Sequence, residues 1–132
     1  MRHSFDDILA PLAITVIIDH KVKAVEQTEF VVQAKGLLEF FGHDARSPDD
    51  LIAWFNSIRD DLSDQLWNKG GNTLVLHALT KFKEQADCEA VFDAMMAISL
   101  ADNAFVPEES RLIKSAAALY GFQRPPVKVD RD

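Results

Sequence analysis

Two stretches, residues 8–18 and 88–101, constrain this chain most, because each is apolar on nearly every helical face. A helix of that kind has no side to show to water, so it belongs inside a bundle or inside a membrane. Spanning a bilayer takes about 20 apolar residues. The first stretch is only eleven residues long, Pro11 and Thr15 included. Both are therefore expected to be central helices of a soluble bundle, the first kinked or begun near Pro11. A secretory leader does not fit either. Asp6 and Asp7 precede the stretch, and Asp19, His20 and Lys21 follow it where a small-residue cleavage site belongs.

The rest of the chain supplies helices that are apolar on one side only. Phe30, Val31, Ala34, Leu37, Leu38 and Phe41 recur at helical spacing and predict a helix over 25–41, with Gly42 as a left-handed stop. Ser47 before Pro48, Asp49 and Asp50 reads as an N-cap, a proline in the first turn and acids at the positive helix end. The stripe that follows runs through Leu51, Trp54, Phe55, Ile58 and Leu62 and breaks near Asn68, Gly70 and Gly71. It resumes from Leu74 to Phe82, and a last stripe from Leu112 to Tyr120 ends at Gly121. Asp87 is expected to cap the second central helix. No run alternates with period two for long enough to form a sheet, so the fold class is all-α, with about six to seven helices. One domain over about residues 5–122 is expected, with 123–132 as a mobile tail of prolines and mixed charges.

Composition narrows the function classes. Lys and Arg number 14 against 21 Asp and Glu, a net charge of −7, the wrong sign for a surface that collects phosphates. Nucleic acid is therefore excluded as an expected partner. A single cysteine rules out an intramolecular disulfide framework and points to a reducing cytoplasm.

The informative pattern occurs twice. Each central helix ends in an aspartate, Asp19 or Asp102, with an apolar residue three positions on and acids opening the next helix. An offset of 83 residues carries Asp19 onto Asp102 and Glu26 onto Glu109. In the helices that follow, an offset of 82 matches the apolar stripes better and makes Glu108 the competing counterpart of Glu26. The pattern reads as an internal two-fold helix-loop-helix duplication. An aspartate at a helix C-terminus faces the negative end of the dipole and the free carbonyls, which costs ~0.3–1 kcal/mol. A cation held between Asp19 and Asp102 would reverse that sign, whereas the bland alternative has each aspartate bonding backbone amides in a turn. The glutamates sit where an acid by default complements the helix dipole.

The second copy, Ala101 to Ser110 (ADNAFVPEES), resembles the TerB-like tellurite-resistance family, whose hallmark is an aspartate, a small turn, an apolar residue and an acid pair opening the next helix. The resemblance covers about residues 5–122 and implies a compact, internally duplicated helical bundle with a shared acidic site for a divalent cation. Carried over by position, the metal ligands would be Asp19, Glu26, Asp102 and Glu109. Where the family usually has glycine after the aspartate this chain has His20 and Asn103, and Val106 replaces the usual serine before the proline.

Rival chemistries fit less well. Oxygen ligands are missing from EF-hand positions in both loops: Ala104, Val106 and Ile113 in one, Lys21, Lys23 and Phe30 in the other. No glutamate has a histidine three residues later, as a di-iron bundle requires. His3, His20, His43 and His77 are scattered, Cys88 lacks a zinc-pair neighbour, and Trp54 and Trp67 read as core. The expectation is a non-enzymatic domain that binds Ca²⁺ through carboxylates and acts in a stress or tellurite-resistance setting with a protein partner, self-association staying open. The alternative is a metal-free protein-interaction module.

Overall fold

The computed structural model describes residues 3–18, 24–44, 46–68, 71–101 and 107–121, side chains at 67–68, 71–72 and 107–109 apart. The expected tail at 123–132 lies outside these residues, as do Asp19 and Asp102. Six helices appear among them, in the order α1 (Phe5–Ile17), α2 (Ala24–Phe40), α3 (Pro48–Asn68), α4 (Gly71–Leu79), α5 (Gln85–Ser99) and α6 (Pro107–Tyr120). No strand occurs among the described residues.

The core follows the two apolar stretches. In α1 every residue from Pro11 to Ile17 is buried, together with Ile8 and Leu9. In α5, Val91, Met95 and Ile98 are fully buried. These helices pack on each other, and both pack on α2. Covering them are Phe30, Ala34 and Leu38 of α2, Leu51 and Phe55 of α3, and Ile113 and Ala116 of α6. At ~25 cal/mol per Å² of apolar area removed from water, this burial is the main term that offsets chain entropy.

Local chemistry sets the ends. Ser4 Oγ accepts from the Asp7 amide at 3.1 Å and starts α1, and Ser47 Oγ does the same for Asp50 at the start of α3. Gly42 and Gly121, at φ 85° and 79°, take the left-handed conformation just past α2 and α6. Two expectations are corrected. First, α1 does not begin at Pro11. It starts at Phe5 and runs through the proline, which sits in its interior. The carbonyl of Pro11 accepts a hydrogen bond from Thr15 Oγ1 at 2.8 Å, which satisfies that buried hydroxyl. Second, the N-cap position of α5 is Glu84, not Asp87, and the Glu84 side chain makes no capping bond. Asp87 lies in the first helical turn with its carboxylate turned into the protein, where it meets His3.

Candidate functional site

The direction of each helix can be worked out from contacts at one end of the bundle. His3, just before α1, has Nε2 3.8 Å from Asp87 Oδ2 in the first turn of α5, so the two helices start side by side. They pack on each other, so they run parallel. At about 1.5 Å per residue, α1 and α5 rise about 20 and 22 Å, so their last turns also lie nearly level. The end of α2 returns to the same starting pole: the His3 ring meets Phe41 edge-on at 5.2 Å, and His43 Nε2 donates to the His3 carbonyl at 2.6 Å. Helix α2 is thus antiparallel to α1 and α5, with its first turn at the opposite pole. Tyr120 at the end of α6 donates to the Leu79 carbonyl at 2.9 Å. Leu79 stands three residues before Phe82, which packs on His3 at 4.7 Å, so α6 also ends at the starting pole. The C-terminal ends of α1 and α5 and the N-terminal ends of α2 and α6 therefore share the far pole.

Burial sorts the acids. Asp49 and Asp50, in the first turn of α3, are exposed, as expected of acids that only complement a helix dipole. Glu26, in the first turn of α2, has no accessible surface. Removing a carboxylate from water costs several kcal/mol, and the cost is met by hydrogen bonds, opposite charge or a bound cation. Among the described residues four polar side chains are buried: Thr15, Glu26, Asp87 and Ser99. Thr15 is bonded to Pro11, and Asp87 faces His3. Glu26 lies in the first turn of α2 and Ser99 in the last of α5, both at the far pole.

The four acids singled out from the sequence fare differently. Glu26 is buried at that pole. Glu109 lies in the first turn of α6, as does its competitor Glu108, and neither side chain is among those described. Asp19 and Asp102 lie outside the described residues. No group of three His, Cys, Asp or Glu side chains that could hold a metal occurs among the described residues. Ser99 gave no signal in the sequence, because a serine on an apolar helix reads as a small core residue.

A model of the TerB family, described as tellurite resistance protein TerB, matches residues 6–127. This chain belongs to the TerB family. Neither the curated proteins nor the solved structures contain a match. As a TerB-family bundle it is all-helical, and none of its described helices is long and apolar enough to cross a membrane.

Cys88, Tyr120 and Trp54 are built into this TerB-family chain as structure. Burial raises the pKa of the Cys88 thiol, and the charge of Asp87 raises it further. The thiol donates to the Phe82 carbonyl at 3.3 Å. Tyr120 is also pushed up by burial. Trp54 stacks on Phe30 with centroids 6.2 Å apart and donates to Asp6 Oδ1 at 2.9 Å, a packing role as expected.

Proposed function

We propose that this domain is non-enzymatic and binds a divalent cation of the Ca²⁺ type at the far pole. Asp19, Glu26, Asp102 and Glu109 are the ligands assigned to it. The observation that carries the reading is the complete burial of Glu26 at the pole where α1 and α5 end and α2 and α6 begin. A carboxylate there has the chemistry a hard cation seeks, and a set made wholly of carboxylates favours Ca²⁺, which takes six to eight oxygens, over softer metals. A bound ion would neutralise charge at the two helix C-termini and tie the α1–α2 pair to the α5–α6 pair. The reading sets the domain in a cytoplasmic stress response of the tellurite-resistance kind, acting on a protein partner whose surface the ion orders.

The test is a melting experiment on chelator-treated protein. Adding Ca²⁺ to 100 times its Kd stabilises the folded state by ~2.7 kcal/mol, and Asp102→Asn is expected to remove that gain while the helical spectrum persists. If no common divalent ion moves the transition of the unaltered protein, the metal-free interaction module replaces this reading. The exposed apolar side chains Val25, Val32 and Phe40 on α2 favour that second reading as a contact surface.

A further inference from the structure

Ser99 stands apart from the other buried polar residues. Its hydroxyl has no accessible surface and no hydrogen-bond partner among the described residues. A hydroxyl buried in this way costs free energy unless something answers it. The usual local answer is available to a helical serine or threonine, which can bond the carbonyl one turn back. Thr15 in α1 does so with Pro11 at 2.8 Å, and Thr28 in α2 does so with Ala24 at 3.0 Å. Ser99 does not, and its hydroxyl is left available to another group. Its place is specific: the last turn of α5, three residues before Asp102, at the pole that holds the buried Glu26. Helix α5 packs directly on α2.

We infer that Ser99 is a positioning residue of the acidic site, its hydroxyl donating a hydrogen bond to a carboxylate oxygen that ligates the cation. The inference rests on the cation-binding reading and extends it to a neutral residue outside the assigned ligands. A ligating carboxylate keeps lone pairs that the ion does not use, and a fixed donor holds the group in its binding orientation. In the ion-free state the same hydroxyl is a liability. The sign of its effect therefore differs between the two states, which separates positioning from simple packing.

Calorimetric titration with Ca²⁺, paired with melting of the chelator-treated protein, is run on the unaltered chain, Ser99→Ala and Ser99→Thr. The expected result is a Ser99→Ala protein that melts no lower than the unaltered one without ion yet binds Ca²⁺ about tenfold more weakly, the lower end of the range for residues that orient metal ligands. Ser99→Thr keeps the hydroxyl and is expected to keep the affinity within about twofold, whatever its added methyl does to melting. Equal affinity in the unaltered and Ser99→Ala proteins overturns the inference and leaves the cation site standing. Equal weakening in both variants overturns it as well, because the hydroxyl is then not the cause. No binding by the unaltered chain overturns the site and this inference together.

Discussion

Replacing His3 by alanine tests the starting pole, from which the helix directions are worked out. The imidazole packs on Phe41 at 5.2 Å and Phe82 at 4.7 Å, and its Nε2 faces the buried Asp87 carboxylate at 3.8 Å. Each aromatic contact is worth ~0.5–1.5 kcal/mol beyond area burial, so the two rings alone give about 2 kcal/mol. Asp87 also loses a facing group while staying buried, which acts in the same direction. For a chain of this length ~1 kcal/mol moves the melting temperature by ~3–5 °C, so His3→Ala is expected to melt about 6–10 °C lower. His43→Ala supplies the comparison. It removes the hydrogen bond to the His3 carbonyl, worth about 1 kcal/mol, and is expected to show about half the shift. Both variants should keep their response to Ca²⁺, because they act at the pole opposite Glu26. Urea unfolding gives the free energies and calorimetry gives the melting temperatures. A loss below about 0.5 kcal/mol for His3→Ala would refute the packing role of His3, and an altered Ca²⁺ response would refute the separation of the poles.

Two further outcomes follow from the buried groups. Glu26→Gln keeps the shape of a fully buried side chain and removes its charge, so the protein is expected to keep its helical spectrum and to take up the ion more weakly. If its affinity falls tenfold, the ion-linked gain drops from ~2.7 to ~1.4 kcal/mol at the same ion concentration, and an undiminished gain would remove Glu26 from the site. Alkaline stability has a fixed sign. The Cys88 thiol and the Tyr120 phenol both have folded pKa values above their ordinary 9.0 and 10.0. The folded state therefore holds protons that the unfolded chain releases. The stabilisation is complete below those ordinary values and is lost as pH rises through the folded ones. Melting temperature should fall above about pH 9, and less steeply in a Cys88→Ala, Tyr120→Phe protein. An identical slope in that double variant would contradict the assignment.

The helices were legible because each carries a signal of its own. The stripe from Phe30 to Phe41, the Ser47 cap and the left-handed Gly42 and Gly121 all act within a few residues. The start of α5 was misread for the opposite reason: Asp87 has the chemistry of a cap, but a tertiary contact with His3 draws its carboxylate inward. Pro11 looked like a helix start, yet it lies within α1, where burial on all sides outweighs the backbone hydrogen bond it removes. For the candidate site, sequence offset singled out Glu26 but could not distinguish a buried carboxylate from a solvated dipole complement. That distinction depends on α1 and α5 starting at the same pole, which no local pattern encodes. Ser99 was invisible because its significance lies in a hydrogen bond it does not make.

The proposed function turns on whether this fold takes up an ion at all. Isothermal titration of the chelator-treated chain with Ca²⁺ asks that directly. Saturable heat with a stoichiometry of one ion per chain, lost in Asp102→Asn, is expected. Flat titrations with Ca²⁺ and the other common divalent ions, on protein shown to be folded, would contradict it.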